Sequence, residues 1–373
     1  MKIVFLVQQL SYGGAERQVV ELAKGLKDGG VSVVVAVFYL GNELEGELRA
    51  ADVPIFNLEK RGRWDVIGFL WRLIGFVRRE NPRILHSYLA VPNILTGLIK
   101  SFIPSTRIVW GIRASNMELS HYDWLSRLSY RLEFLMNGRA DAIIVNSEAG
   151  RVCLETGGYS KEKITFIPNG IDTERFQPDR ARGRAARAAW GIDPGARVVG
   201  LVGRLDPMKG HELFLRAAAQ AAQKKSDLVF VCVGEGSGVF RESLLKLSRE
   251  LALDGRVVWS SSRNDMNDVY NAFDVVCSAS VFGEGFSNAV GEAMACGVPC
   301  VVTDVGDSAL IVGDTGLVVP PGDPEALVEG LCTLIGVIEE KGQELSTKAR
   351  ERIVGRFSRH RLVGTTYRVL SAL

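Results

Sequence analysis

Short apolar runs alternate with amphipathic helical stretches along the first half of the chain. The runs at residues 3–8 and 31–38 are rich in β-branched residues and flank a helical pattern at 14–26. Continuous apolar runs of this length are typical of strands that helices cover on both faces. The pattern therefore predicts a parallel α/β architecture. Further strands are predicted at 84–86, 107–111 and 142–146, and further helices at 64–79 and 125–137.

The second half of the chain repeats this pattern, which predicts a second doubly wound, Rossmann-like domain. Strands are predicted at 198–203, 228–234, 257–260, 275–278 and 300–303, and helices at 211–225, 240–251, 266–273 and 288–295. The turn at 167–172 and the polar segment at 177–187 predict a linker at about 170–192. We expect domains at 1–175 and 190–355, followed by a last helix at about 359–373.

Composition and length narrow the class of protein. A chain of 373 residues fits two domains of ordinary size, and 47% hydrophobic with 24% charged residues excludes disorder. The net charge of +2 gives no indication of a nucleic-acid partner. The six cysteines lack metal-type spacing, and most lie in apolar runs, as expected of reduced thiols in a cytosolic protein. The first apolar run is too short for a signal peptide, and no run approaches a membrane span, so we expect a cytoplasmic location.

The stretch 282–299 carries the strongest candidate chemistry. A glycine-rich loop leads into a predicted helix, with Glu284 before the helix and Glu292, eight residues later, inside it. Backbone N–H groups at such a helix start can bind an anion, and carboxylates can accept hydrogen bonds from hydroxyls. Together these groups suit a sugar nucleotide. Either glutamate alone would more simply be structural, since acidic residues are favoured early in helices.

The same stretch resembles the E-x7-E signature of retaining glycosyltransferases of family 4, the "group 1" enzymes with the GT-B fold. The resemblance implies two doubly wound Rossmann-like domains facing across a deep cleft, with the segment 356–373 crossing back to the first. It implies that Glu284 contacts the donor sugar and that Glu292 holds the ribose hydroxyls. It also implies donor contacts from the backbone between the glutamates, namely Gly285, Phe286, Ser287 and Asn288.

A second motif lies at residues 203–210, after one predicted strand and before a helix. Loops after the carboxyl ends of parallel strands are where open α/β sheets bind ligands. The run places Arg204 and Lys209 there, and it is similar to the G-R-x-x-x-x-K-G element of the family, beginning at Gly203. The resemblance implies that both cations stabilise a departing diphosphate, so that Glu284, Arg204 and Lys209 form the predicted catalytic set. Solvated surface charges are the alternative.

Candidate residues of the first half come from weaker motifs. The turn at 12–16 resembles the family's G-G-A-E turn, which implies a donor contact at Gly14. The family often carries a histidine after a strand of the first domain, where this chain has Arg113. On the acceptor side we therefore consider Arg113, His86 and Asn146, with a satisfied core histidine as the alternative for His86.

The resemblance implies a metal-independent, retaining hexosyl- or N-acetylhexosaminyltransferase. It would move a sugar from a nucleotide diphosphate-sugar, with UDP expected, to a saccharide or lipid-linked saccharide acceptor in polysaccharide or glycoconjugate biosynthesis. The nucleotide-sugar is a co-substrate, and no cofactor is expected. The alternatives are a GT-B-fold nucleotide-sugar epimerase and an inactive sugar-nucleotide-binding homologue. A dinucleotide dehydrogenase is disfavoured because residues 8–13 lack the full glycine fingerprint.

The predicted helix at 61–79 combines aromatic and basic residues. Two tryptophans and two phenylalanines alternate with five arginines in this segment. Such a helix can lie on an anionic membrane surface, or it can face the core with basic residues at its ends. If the acceptor is lipid-linked, this segment and the apolar stretch 94–102 are where the lipid would dock.

Overall fold

The computed structural model describes residues 1–62, 64–113 and 124–373. It divides into two compact units, Met1–Gly170 with Arg359–Leu373, and Ile171–Ser358. We call them the N-terminal unit and the C-terminal unit. Each has its own sheet and its own hydrophobic core, so each is described by itself.

The N-terminal unit is built on a parallel sheet of seven strands in the order β3-β2-β1-β4-β5-β6-β7. The inner strand β1 pairs in parallel with β2 and β4, and all but the first of its side chains are buried. The strands are β1 (Lys2–Val7), β2 (Ser32–Val37), β3 (Ile55–Asn57), β4 (Ile84–Tyr88), β5 (Arg107–Ile112), β6 (Ala142–Val145) and β7 (Ile164–Phe166). The helices are α1 (Gly14–Asp28), α2 (Glu45–Ala50), α3 (Ile67–Glu80), α4 (Ala90–Ile99), α5 (Trp124–Leu135) and α6 (Glu148–Thr156).

The C-terminal unit holds a six-stranded parallel sheet in the order β10-β9-β8-β11-β12-β13. Its strands are β8 (Arg197–Val202), β9 (Leu228–Val233), β10 (Val257–Ser260), β11 (Val275–Ser278), β12 (Cys300–Thr303) and β13 (Leu317–Val319). Its helices are α7 (Arg180–Ala189), α8 (His211–Lys224), α9 (Gly238–Glu250), α10 (Met266–Asn271), α11 (Asn288–Ala295), α12 (Ser308–Val312) and α13 (Pro324–Arg356).

The last helix, α14 (Arg359–Ser371), packs against α1 and so returns the chain to the N-terminal unit. Its Leu362 and Leu370 are buried in the same cluster as the apolar side of α1. Helices cover both faces of each sheet, because each unit has two core clusters that contain alternate residues of the same strands. The predicted pair of parallel-sheet, Rossmann-like domains is therefore confirmed.

Several elements differ from those predicted. The hydrophobic pattern did not predict the short strands β3, β7 and β13 or the long helix α13, and it placed the start of α3 at residue 64 rather than at Ile67. Where a polar linker is predicted, the structure has α7, capped by the Asp179 carboxylate, which accepts hydrogen bonds from two backbone N–H groups. Ala186 of α7 is buried in the C-terminal core, so this segment belongs to a packed domain.

Candidate active site

Loops that follow the strands β8, β9, β11 and β12 converge at one edge of the C-terminal sheet. The backbone N–H of Leu205 donates to the carbonyl of Glu235 at 2.7 Å, which joins the loops after β8 and β9. The N–H of Val281 donates to the carbonyl of Met208 at 2.9 Å, which joins the loops after β11 and β8. The parallel topology thus brings the two predicted motifs, 203–210 and 282–299, to the same place.

Two glycines allow these loops to approach closely. Gly210 has φ +66°, and a Cβ atom there would lie 1.9 Å from the carbonyl oxygen of Ala279. Gly306 has φ +60°, and its Cβ would lie 2.2 Å from the carbonyl oxygen of Glu284. Any larger residue would both strain the backbone and separate the loops. The glycines therefore fix the position of Glu284 between its neighbours.

The structure pairs Glu284 with Lys209, two of the three predicted catalytic residues. The Lys209 Nζ lies 2.7 Å from Glu284 Oε2, and the Ser280 hydroxyl donates to the same oxygen at 2.9 Å. Glu284 is only 7% exposed. Burial acts to raise its pKa, but the charges of Lys209 and Arg204 and the hydrogen bonds outweigh this, so the pKa lies below its usual value. Glu284 is therefore a buried, ionised carboxylate with a fixed orientation.

Arg204, the third predicted catalytic residue, is placed differently. Its guanidinium is 65% exposed and lies 3.1 Å from the carboxylate of Asp206. Asp206 is held in turn because it accepts a hydrogen bond from the Met208 N–H at 3.0 Å. Gly203, at the base of the loop, lies against the aliphatic part of Lys209. Arg204 thus contributes a cation at the rim of the loop, while Lys209 lies deeper.

Glu292, the second glutamate of the signature, is half-buried on α11. Its Oε2 accepts a hydrogen bond at 2.7 Å from the hydroxyl of Tyr270, which is 1% exposed. Burial and the neighbouring carboxylate raise the pKa of Tyr270, so the phenol stays protonated and donates to Glu292. Sequence analysis missed Tyr270 and Ser280. Ser280 lies four residues before Glu284, but nothing in the sequence pointed to Tyr270.

The start of α11 presents backbone rather than side-chain chemistry. Ser287 is the N-cap, but its side chain makes no capping hydrogen bond. Phe286 faces the core, where its ring lies 5.4 Å from that of Phe357. The carbonyl of Gly285 accepts from the N–H of Asp307 at 2.9 Å. Asn288, the first residue of α11, is half-buried. Of the predicted donor contacts in this segment, those of Gly285 and Phe286 would have to come from their main chain.

The remaining predicted residues lie in the N-terminal unit. Gly14 begins α1, directly after β1 and its loop. His86 is fully buried between the rings of Phe5 and Tyr88, at centroid distances of 5.5 and 4.6 Å. Among the described residues neither of its ring nitrogens has a hydrogen-bond partner, so it is a core histidine but not a satisfied one. Asn146, 3% exposed, follows β6.

Arg113 follows β5, and its guanidinium lies over the ring of Tyr88. The predicted residues are therefore divided between the two units.

Two further properties bear on ligands. Within residues 1–62, 64–113 and 124–373, no group of three or more His, Cys, Asp or Glu side chains is placed to hold a metal ion. In the same residues, every helix is too short or too polar to cross a membrane.

Two family models match this chain, one in each half. The family described as Glycosyltransferase Family 4 matches residues 12–175, and that described as Glycosyl transferases group 1 matches residues 196–336. D-inositol 3-phosphate glycosyltransferase of Corynebacterium urealyticum is 36% identical over 207 residues, which cover 52% of this chain and 49% of the relative. The enzyme of that name from Mycobacterium sp. (strain KMS) is 38% identical over 197 residues, which cover 51% of this chain and 42% of the relative. The match spans about half the length of these curated relatives.

Solved structures resemble the chain over its whole length. Anabaena HepE in complex with UDP-glucose has a TM-score of 0.89 at 23% identity, with 100% of both chains covered. Sucrose-phosphate synthase from Thermosynechococcus elongatus has a TM-score of 0.81 at 20% identity, covering 100% of this chain and 99% of the other. At such low identity the likeness concerns the fold, and it confirms the GT-B class. The chain belongs to the group 1 glycosyltransferases of glycosyltransferase family 4.

Proposed function

We propose that this protein is a retaining glycosyltransferase that moves a sugar from a UDP-sugar to a saccharide or lipid-linked saccharide acceptor. The observation that carries the proposal is the buried ion pair of Glu284 and Lys209 beside the start of α11. Glu292, which lies on that helix, is paired with Tyr270. These groups supply a cation for phosphate and ionised carboxylates for hydroxyls. Family membership, curated relatives named glycosyltransferases, and HepE structures with UDP and UDP-glucose support it.

In the proposed donor complex, Glu292 accepts hydrogen bonds from the ribose hydroxyls. The hydroxyl of Tyr270 donates to Oε2 of Glu292 and so fixes the orientation of the carboxylate. Glu284 and the main chain at the start of α11 orient the transferred sugar. The N–H groups of this first turn and the positive end of the helix dipole favour the adjoining phosphate.

Lys209 can serve Glu284 and the diphosphate at once. An ammonium group has three N–H donors, and the contact with Glu284 uses one of them. As the bond from the sugar C1 to the phosphate oxygen breaks, negative charge accumulates on that oxygen. Lys209 and Arg204 stabilise the charge where it develops, which lowers the barrier to transfer.

Retention follows if the acceptor hydroxyl attacks from the face that the diphosphate leaves. The departing phosphate oxygen takes the proton of the acceptor hydroxyl, the new glycosidic bond forms at C1, and UDP leaves protonated. Glu284 is tied to Lys209 and Ser280, an arrangement suited to orienting hydroxyls rather than to covalent catalysis. The proposed reaction needs neither a metal ion nor a cofactor besides the nucleotide-sugar.

Calorimetric titration of the full chain with UDP, GDP, ADP and NAD, with and without a chelator, tests the donor site. We expect UDP to bind most tightly and chelation to leave its affinity unchanged. Product analysis by NMR with UDP-glucose and an acceptor panel then tests retention at C1. An interconverted UDP-sugar would indicate an epimerase, and UDP binding without any turnover an inactive homologue. Failure to bind any nucleotide would refute the donor site.

We further propose that the enzyme acts at the cytoplasmic face of a membrane, which α3 contacts peripherally. Trp64, Ile67 and Trp71 are 86, 74 and 61% exposed, and the ring of Trp71 lies 6.2 Å from that of Phe102. Arg61 and Arg78 are exposed near this aromatic surface. Exposed aromatic rings beside cations suit an anionic lipid surface.

Sedimentation with vesicles tests this contact. We expect the protein to bind phosphatidylglycerol vesicles better than phosphatidylcholine vesicles, and Trp71→Ser to weaken that binding. Trp124→Ser is a matched control, because Trp124 is 69% exposed but lies on α5. Equal loss in both variants, or no preference for anionic lipid, would contradict the assignment to α3.

A further inference from the structure

Arg113 occupies a built position in the N-terminal unit. Its guanidinium carbon lies 4.5 Å from the centre of the Tyr88 ring. Nη2 donates to the Tyr88 hydroxyl at 2.8 Å, and Nη1 donates to Oδ1 of Asn169 at 3.3 Å. Stacking and two hydrogen bonds therefore hold the planar group in one orientation.

This cation has no counter-ion in the part of the chain that the structure describes. No carboxylate there lies within ion-pair distance of Arg113, and its Nε is buried without a hydrogen-bond acceptor. The two aromatic side chains nearby, His86 and Tyr88, are neutral and cannot balance the charge of Arg113. Burial and the charge of Arg113 hold the pKa of His86 well below its usual value, and burial raises the pKa of Tyr88.

An unpaired, partly buried guanidinium is costly unless an anion completes it. A guanidinium has five N–H donors, and here the two contacts engage only two of them, both with neutral acceptors. Besides the buried Nε–H, the second N–H groups of Nη1 and Nη2 are unused among the described residues, and two N–H groups of one planar guanidinium can bind carboxylate or phosphate oxygens in pairs. Within the part of the chain that the structure describes, the Arg113 site thus lacks both a negative charge and further hydrogen-bond acceptors, and an anion with oxygen atoms would supply both.

The position of Arg113 in the sheet indicates where that ligand binds. Arg113 follows β5, Tyr88 ends the neighbouring β4, and Asn146 follows β6 on the other side. This is the carboxyl edge of a parallel sheet, the edge at which open α/β sheets bind ligands. Arg113 is partly exposed there, so an anion can reach it from solvent.

We propose that Arg113 binds an anionic group, a phosphate or a carboxylate, on the acceptor. The inference rests on the proposed transferase function, which leaves the chemical class of the acceptor open. The donor diphosphate is the other source of an anion, but the C-terminal unit carries its own cations for it, Arg204 and Lys209. The acceptor is accordingly an anionic saccharide or a saccharide next to a phosphate, rather than a neutral sugar.

Inorganic phosphate is a suitable probe, and its ³¹P line width reports binding in any variant. The full chain is first saturated with UDP to fill the donor site, and phosphate is then titrated at constant ionic strength against sodium chloride. We expect saturable broadening for the wild type and at least about tenfold weaker binding for Arg113→Gln, the loss of charge-assisted hydrogen bonds. Arg139→Gln, an exposed arginine of the same unit, should bind phosphate as the wild type does.

Two further variants keep the test informative if Arg113→Gln folds poorly. Tyr88→Phe removes only the hydroxyl that holds Nη2, and we expect it to weaken phosphate binding by a smaller factor. Arg113→Lys keeps the charge without the planar fork and should also be intermediate.

The proposal is overturned if the UDP-saturated wild type does not bind phosphate, or if Arg113→Gln binds it equally well. Broadening that disappears when UDP is added would overturn it too, because the anion would then belong to the donor. Failure of UDP itself to bind would instead refute the proposed transferase function and would leave the phosphate result at Arg113 to be judged separately.

Discussion

At the scale of single residues, the ion pair of Lys209 and Glu284 is the part of the proposed donor site whose role in transfer can be tested most directly. In the proposed mechanism Lys209 acts on charge that appears only as the sugar–phosphate bond breaks, so it would contribute to the transition state more than to the bound donor. We expect Lys209→Ala to lower kcat by about 10² or more, as removal of one stabilising donor does elsewhere. UDP affinity should fall by a much smaller factor.

The measurement is kcat with UDP-glucose beside the Kd of UDP for the wild type, Lys209→Ala and Lys209→Arg. The arginine variant keeps the charge and should retain part of kcat. If Lys209→Ala loses as much affinity as turnover, the lysine only binds the nucleotide, and its proposed role in the departure of the diphosphate is wrong.

Glu292 supports a different prediction, because in the proposed donor complex the ribose hydroxyls are bound equally before and during transfer. Hydrogen bonds to a charged carboxylate contribute about 1.5–3 kcal/mol each, so Glu292→Ala should raise the Kd of UDP tenfold or more. It should also erase most of the preference for UDP over 2′-deoxy-UDP. Tyr270→Phe removes only the hydroxyl that fixes the carboxylate and should have a smaller effect. Calorimetry would refute the ribose assignment by showing unchanged UDP affinity in Glu292→Ala.

The residues of the candidate site were only partly visible in the sequence. Glu284, Glu292, Arg204 and Lys209 lie in two contiguous motifs, and the resemblance of those motifs to family elements pointed to them. Tyr270 could not be found in this way, because its contact with Glu292 bridges 22 positions. Contacts between distant positions are formed by the packing of whole elements, which a local pattern does not encode.

At the scale of elements, helix α5 has an unusual distribution of residues. Glu133 is its one buried residue among those the structure describes, at 4% exposure, whereas Trp124 and Leu135 are 69 and 74% exposed. Glu133 accepts a hydrogen bond at 2.6 Å from Asn93 of α4. Burial raises its pKa to about 7, although the hydrogen bond from Asn93 opposes the shift. A carboxyl group thus joins two helices and is half-ionised near neutral pH.

Glu133 should make folding stability depend on pH in a definite direction. Its pKa is raised in the folded state, so between its usual value and about 7 the folded protein binds more protons than the unfolded chain. Stability is therefore lost as pH rises through this window. Glu133→Gln keeps an acceptor for Asn93 but cannot ionise.

We expect that variant to be more stable than the wild type at pH 8, by on the order of 2 kcal/mol, and about equal at pH 4.5. Urea unfolding at pH 8 and pH 4.5 measures the free energy of unfolding of both proteins. If the difference between them is the same at both pH values, the raised pKa of Glu133 is contradicted.

Central and peripheral elements differed in how well the sequence predicted them. The core strands carry long β-branched runs, which have few alternatives to a doubly covered sheet. The missed strands β3, β7 and β13 have three residues each and lie at sheet edges, where so short a run has no distinctive period. The α7 segment was predicted as a linker for its polarity, although Ala and Arg are strong helix formers and Asp179 supplies a cap.

At the scale of the whole molecule, the chain leaves the N-terminal unit after Gly170 and returns to it at Arg359. The returning helix α14 meets α1 at Gly25, where a Cβ atom would lie 2.4 Å from Cγ2 of Val363. Glycine in the middle of a helix costs about 1 kcal/mol relative to alanine, so its presence reflects the need for close approach. The last residues of the chain are thereby part of the first folding unit.

The close approach of α1 and α14 predicts a rescue between distant positions. Gly25→Ala should destabilise the N-terminal unit despite the better helix propensity of alanine, because the new methyl group displaces Val363. Val363→Ala alone should cost less, and in the double variant the two effects should not add, since Val363→Ala makes room for the methyl group that Gly25→Ala adds. Calorimetric unfolding is measured for the wild type, the two single variants and the double variant. Added UDP should raise the unfolding temperature of the C-terminal unit and so identify its transition. The other transition should fall in Gly25→Ala and recover in the double variant, whereas strictly additive effects would show that α14 does not hold α1 at this position.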